Sequence, residues 1–153
     1  MDPATACGWA ADFGGVTRSG CWKLRGGHRW LDLYRHLETM NEIEPITVVA
    51  VERVQFSGPG IRALQINSGL IAVIELWADF RGVRVEGVPV STLKKWATGK
   101  GNAKKDLMVA VAKSRWPGQN IKDDNQADAL HILDWVCVEV LKRRSKAVVE
   151  VGT

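Results

Sequence analysis

The sequence holds no Cys-x-x-Cys pair, and its three cysteines (Cys7, Cys21, Cys137) are odd in number and far apart. That excludes a disulfide framework and a cysteine zinc site, and reads as the reduced thiols of a cytoplasmic protein. His28, His36 and His131 also lack ligand spacing, so each is read as an ordinary surface or core histidine. Apolar runs of membrane length are missing: the longest, Gly69 to Ala78, is broken by Glu75 and too short to span a bilayer. No basic segment followed by an apolar one opens the chain, so no signal peptide is expected. Repeats, low-complexity tracts and linkers are lacking, and 153 residues suit a single domain with a core of ordinary size. Charge of one sign is in small excess only. A net charge of +4 permits a polyanionic partner without requiring one, so placement of charge matters more than its sum.

Patterning gives the element order. Trp9 to Ala11 and Val16 to Leu24 read as short strands, punctuated by Gly14-Gly15 and Ser19-Gly20 turns. Trp30 to Met40 carries apolar residues at helical spacing. Ile46 to Val54 is dense in β-branched residues, as suits a central parallel strand buried on both faces. After the Ser57-Gly58-Pro59-Gly60 break, Ile61 to Phe80 reads as a long helix, apolar on most sides and therefore buried or in a subunit interface. Arg84 to Val90 returns as a strand. Ala103 to Trp116 is an amphipathic helix stopped by Pro117-Gly118, and Asp124 to about Lys146 is the last helix, acidic at its start and basic at its end. Such an order predicts an α/β domain with a central sheet and flanking helices.

The chemistry-bearing stretch is Leu93 to Lys105, which sets Lys94, Lys95, Lys100, Lys104 and Lys105 around a Thr98-Gly99-Lys100-Gly101 turn, with Trp96 inside. Glycines let the backbone approach a ligand, lysines are point charges suited to phosphate, and an interleaved tryptophan suits nucleic acid. The stretch is read as a loop gripping a sugar-phosphate backbone. It lacks the Gly-x-x-x-x-Gly-Lys-Ser/Thr spacing of an ATPase. Isolated acids stand beside or within apolar segments, notably Glu52 and Asp128, with Asp2 at the very start. Glu52 either pairs with Arg53 at the surface or ligates a divalent cation beyond its strand. Its place at the strand's C-terminal end favours the ligand. For Asp128 the spacing leaves two readings open. Asn125 can cap the helix with Asp128 three residues on, or Asp124 and Asp128, at i and i+4, face a metal together. A phosphate grip with converging acids points to metal-dependent cutting of nucleic acid.

Four blocks in order resemble the RuvC-like Holliday junction resolvases, in particular their phage-type relatives. Asp2-Pro3-Ala4-Thr5-Ala6-Cys7-Gly8-Trp9-Ala10 looks like the family's opening acidic block, with Cys7 where Thr is frequent. Val49-Ala50-Val51-Glu52-Arg53-Val54 looks like its second acidic strand, Lys94 through Lys105 like its lysine-glycine element, and Ala127-Asp128-Ala129-Leu130 like its last acidic helix. The resemblance implies an RNase H-like fold, a central mixed β-sheet flanked by helices, and a homodimer that cuts branched DNA, joined through the helix 61–80. It implies Asp2, Glu52 and Asp128 as ligands of two Mg²⁺ ions, with Mn²⁺ able to substitute, and Lys105 as an active-site cation. It implies Lys94 as a second contact and a 5′-phosphate product, while Lys95, Trp96, Lys100 and Lys104 are expected to touch DNA from the make-up of the lysine stretch itself. The setting implied is the cytoplasm of a bacterial or phage-infected cell.

Three departures from the family pattern bear on function. A further acid is usual three residues before the last one. Here that position is Asn125, an uncharged metal donor, with Asp124 next door as its substitute. The aromatic wedge position holds Gln55, with Phe56 beside it as the candidate for opening the junction. Only Met1 precedes Asp2, so the first strand is expected to be truncated and the natural protein to begin several residues earlier. Two competing functions are a flap or branch nuclease on the same fold, and a module that binds branched DNA but cuts it poorly.

Overall fold

The computed structural model describes residues 6–24, 26–53 and 60–143. Asp2, Gln55 and Phe56 lie outside them. The chain opens with a hairpin, strands β1 (Cys7–Phe13) and β2 (Val16–Trp22), antiparallel with Phe13 opposite Val16. Its two-residue turn is Gly14-Gly15, both at positive φ (56° and 91°), as this tight hairpin turn requires. The Gly15 N–H donates to Asp12 Oδ1 at 2.7 Å. The expected turn at Ser19-Gly20 does not form. Gly20 lies inside β2 opposite Trp9, where a Cβ would meet the Trp9 indole at 3.0 Å. This glycine makes room for a ring and does not turn the chain.

Helix α1 (Arg29–Ile43) buries Leu33 and Leu37. Strand β3 (Val48–Arg53) follows, then helix α2 (Ile61–Arg81) and strand β4 (Arg84–Pro89), which runs parallel to β3. α2 packs Leu70, Ile74, Trp77 and Ala78 against α1, and the Trp77 indole N–H donates to Glu38 Oε1 at 2.6 Å. The two helices approach closely because Gly69 has no side chain: a Cβ there would lie 2.7 Å from the Trp30 ring. The membrane expectation needs correcting here. The helix continues through Glu75 and reaches 21 residues, long and apolar enough by length and composition to cross a bilayer. In this fold the same composition supplies a core stripe.

Three more helices follow among the described residues: α3 (Val90–Thr98), α4 (Lys105–Arg115) and α5 (Asp124–Trp135), the last continued by a π-helical turn over Val136–Val140. α1 and α2 cover one face of the strands, and α3 to α5 the other. Among the described residues the strands form two separate two-stranded sheets, β1–β2 and β3–β4. β3 is accordingly only partly buried along most of its length, although helices lie on both its faces. The sequence reading of complete burial assumed neighbours on both edges.

Candidate active site

Strand periodicity aims Glu52. Val49 and Val51 pack into the cluster of α1 and α2, whereas Ala50 packs toward α3 and α4. Alternation places Glu52 on the Ala50 side, at the C-terminal end of β3. The opposing acid comes from α5. Asp123, not Asn125, caps this helix: its Oδ1 accepts the Gln126 N–H at 2.9 Å. Gln126 Oε1 in turn accepts the Lys122 N–H at 3.0 Å, and Gln126 Nε2 donates to Ser19 Oγ at 2.9 Å. The capping reading of Asn125 and Asp128 is therefore replaced. The cap lies two residues earlier, with the Gln126 side chain reaching back to the residue before it, Lys122, and Asp128 sits one turn inside the helix.

Close contact between α5 and β1 depends on Gly8. A Cβ at this position would lie 2.0 Å from the Asn125 carbonyl oxygen, far inside van der Waals contact and against rigid backbone. Gly8→Ala is expected to lower stability by about 1–3 kcal/mol and to displace the start of α5, with Asn125 and Asp128. Urea unfolding checks it, and an unchanged midpoint would refute the close approach.

Glu52, Asn125 and Asp128 line one cavity of about 290 Å³. Burial pushes the Asp128 carboxyl up to about 6, and the nearby Glu52 and Asp124 carboxylates add to the rise. Lys105, the first residue of α4, ion-pairs with Asp124 Oδ2 at 2.5 Å. The pairing raises the Lys105 ammonium and lowers the Asp124 carboxyl, and Lys105 also feels Asp128 and Glu52. Three acids and one lysine from β3, α4 and α5 thus share one electrostatic neighbourhood. A cation at the N-terminus of α4 opposes the helix dipole, and its partner Asp124 offsets this.

The lysine stretch departs from its expected form. Lys94, Lys95 and Trp96 lie in helix α3, not in a loop, because Leu93 and Ala97 give the segment a buried helical stripe. Only the residues from Gly99 to Lys104 form the connection. Gly99 ends α3 at φ 77°, and Thr98 Oγ1 accepts the Lys100 N–H at 3.2 Å. Lys95, Lys100, Lys104 and Lys105 are exposed and Lys94 is half-buried. Trp96 is half-buried as well, and its indole N–H donates to Asp134 Oδ2 at 2.9 Å, so this ring anchors α3 to α5. Asp134 also faces Arg115, at 3.5 Å. Sequence reading missed Asp134, Asp123 and Gly8. Only the Asp123-x-x-Gln126 spacing carried a signal, that of a helix cap.

Among the described residues no three His, Cys, Asp or Glu side chains converge closely enough to hold a metal ion by themselves. The donors that do converge fit a hard divalent cation in kind: the carboxylates of Glu52 and Asp128, with Asn125 on the same cavity. Two crowded carboxylates, one of them kept from ionising at its usual pH, present the excess negative charge that a bound cation relieves.

No family model matches the chain, and no curated protein matches it by sequence. Solved structures do match. RuvC of Thermus thermophilus superposes with a TM-score of 0.62 at 22% identity, covering 84% of this chain and 83% of that one. T. thermophilus RuvC in complex with a Holliday junction substrate superposes with a TM-score of 0.66 at 16% identity and the same coverage. At such identities the likeness is one of fold, and this chain has the RNase H-like α/β fold seen in RuvC.

Proposed function

We propose that this chain is a Mg²⁺-dependent endodeoxyribonuclease that resolves four-way DNA junctions, in the manner of the phage-type RuvC-like resolvases. One observation carries the reading: in a RuvC fold, Glu52 from β3 and Asp128 from α5 meet at one cavity with Lys105 beside them. Asp2, Glu52 and Asp128 would hold two Mg²⁺ ions, or Mn²⁺ in their place, with Asn125 or Asp124 completing the set. When bound, the ions supply an activated water and charge stabilisation at the leaving 3′ oxygen. Asp124 steers the Lys105 ammonium to the site, where its charge offsets the growing negative charge on the phosphate. Lys94, Lys95, Lys100 and Lys104 grip the DNA backbone, Trp96 holds the helix of Lys94 and Lys95 in place, and Phe56 serves as the junction wedge. The apolar residues that α2 leaves exposed, Ile61 (77%), Leu76 (54%) and Phe80 (74%), support a homodimer through this helix. A bacterial or phage-infected cytoplasm would supply the substrate. A gel assay with Mg²⁺, a synthetic four-way junction, a flap and plain duplex tests the proposal. Cutting is expected on the junction first. Preference for the flap would indicate a branch nuclease. Junction binding without cutting would indicate a binding module, a reading favoured by the missing charge at Asn125.

Two variant sets refine the site. Asn125→Asp should lower the Mg²⁺ needed for half-maximal activity by about tenfold, and Asp124→Asn should raise it similarly. Unchanged Mg²⁺ titrations in both would remove residues 124 and 125 from the ligand set. Among the lysines, Lys100→Ala should weaken binding to every DNA shape and reduce the salt slope by about one. Lys105→Ala should instead slow cleavage by about a hundredfold with little loss of affinity. If it weakened binding and left the single-turnover rate intact, Lys105 would be a backbone contact only.

A further inference from the structure

A second hollow lies beside the lysine stretch, on the helix that carries Asp128. It encloses about 390 Å³ and is lined by Thr92, Lys95 and Trp96 of α3 and by Trp135 of α5. The three α3 residues stand at i, i+3 and i+4, so they share one helical face. Leu93 and Ala97 take the neighbouring face into the core. Thr92 and Lys95 are exposed, and both tryptophans are half-buried. Neither ring is loose. The Trp96 N–H donates to the buried Asp134, and Trp135 packs against the cluster of Val88, Leu93 and Met108. Rings fixed in advance lose little freedom when a ligand stacks on them.

The make-up of the hollow selects its occupant. Aromatic walls take a flat π-system, and the Lys95 ammonium takes an anion. An aliphatic side chain from a protein partner would cover the rings and leave the charge unmatched. A nucleotide supplies both in one unit, its base for the rings and its phosphate for the lysine. Position agrees. Trp135 stands seven residues after Asp128 in α5, close to two full turns, so the two share one stripe and lie ~10 Å apart along the axis. Ile132, between them on that stripe, packs on the same cluster as Trp135. We infer that the hollow between Trp96 and Trp135 receives one unpaired nucleobase, about three nucleotides from the phosphate at Glu52 and Asp128, at ~3.4 Å per stacked nucleotide. The inference rests on the junction-cutting reading and adds to it a means of telling branched DNA from duplex. A base in plain duplex must first be unpaired and unstacked to reach the rings, whereas one at a branch point is already freer. Every base has a π-face, so the hollow discriminates by shape and not by sequence.

Junction binding in chelator, where nothing is cut, tests this apart from catalysis. An intact four-way junction is compared with junctions carrying a single abasic site at each position near the branch in turn. The parent should bind one of these about tenfold more weakly than the intact junction. Trp135→Leu should bind the intact junction about tenfold more weakly, yet lose nothing further on that abasic junction. Its salt slope should match the parent's, because no phosphate contact is removed. Trp135→Phe keeps a ring and should stay within about threefold of the parent. Trp96 is left intact because it also anchors α3. Should Trp135→Leu fail to fold, 5-iodouracil at the sensitive position, irradiated with the parent, should cross-link to Trp96 or Trp135; cross-linking only to another residue overturns the inference. So does a parent that ignores base loss at every position, even though its lysines still bind the junction. An equal abasic penalty in Trp135→Leu also overturns it, because the base then sits elsewhere. A parent that binds no junction at low salt would instead sink the junction reading itself, and this inference with it.

Discussion

Asp128→Asn and Glu52→Gln are each expected to cut four-way junctions about a thousandfold more slowly than the parent, or less, with junction affinity kept within a factor of about three. If the site holds a divalent cation as proposed, removing one carboxylate withdraws several kcal/mol of charge stabilisation, and about 1.4 kcal/mol is tenfold in rate. On the proposed reading, DNA affinity comes from lysines that neither change touches. The structure sharpens this expectation, because Asp123 and not Asn125 caps α5, and Asp128 has no capping duty whose loss would mimic a catalytic defect. Parental cutting by Asp128→Asn, measured in single turnover with saturating Mg²⁺, would remove Asp128 from the reaction.

Without metal the same substitution should make the protein more stable. Asp128 has its carboxyl raised from 3.8 to about 6, by burial first and by Glu52 second. A folded-state pKa above the unfolded one means that folding favours the protonated form. That contribution is fully present below about pH 4 and is lost as pH rises through about 6. At pH 7 the ionised carboxylate therefore costs stability, up to about 3 kcal/mol for a shift of about two units and less where solvent reaches it. In chelator at pH 7, Asp128→Asn should melt several degrees above the parent. At pH 4 the two should nearly coincide. Saturating Mg²⁺ should reverse the order, because the cation binds the carboxylate and not its amide replacement. Equal melting temperatures at pH 7 in chelator would mean that Asp128 is not crowded. On the proposed reading, such an acid would exchange stability for activity.

Much of this architecture was legible because it follows from local pattern. The stripe from Trp30 to Met40 became α1, the β-branched run ending at Glu52 became β3, and the Gly14-Gly15 pair became the hairpin turn. The convergence of Glu52, Asp124, Asp128 and Lys105 was reachable only through the family resemblance, since nothing in the spacing of residues 52, 105 and 124 says that their elements meet. Three features misled. Lysines drew Lys94 to Trp96 into a loop, although Leu93 and Ala97 already carried a helical stripe. Glycine at position 20 suggested a turn where it relieves a clash with Trp9. Asn125 and Asp128 resembled a cap, whereas Asp123-x-x-Gln126 was the cap that formed. Among the described residues the strands form two pairs, a partnership that no single segment's pattern reports and that only the family resemblance, with its expected truncated first strand, could suggest.

Mg²⁺-dependent hydrolysis of junctions at the proposed Glu52–Asp128 site would leave ends of one kind only. End chemistry tests it most directly. A four-way junction is incubated with the protein and Mg²⁺, and the products are offered to DNA ligase with no kinase or phosphatase added. Nicked duplexes that seal are expected, because hydrolysis leaves 5′-phosphate and 3′-hydroxyl ends, and no such products are expected from Glu52→Gln or in chelator. Products that cannot be sealed, or sealable products made equally well by Glu52→Gln, would contradict it.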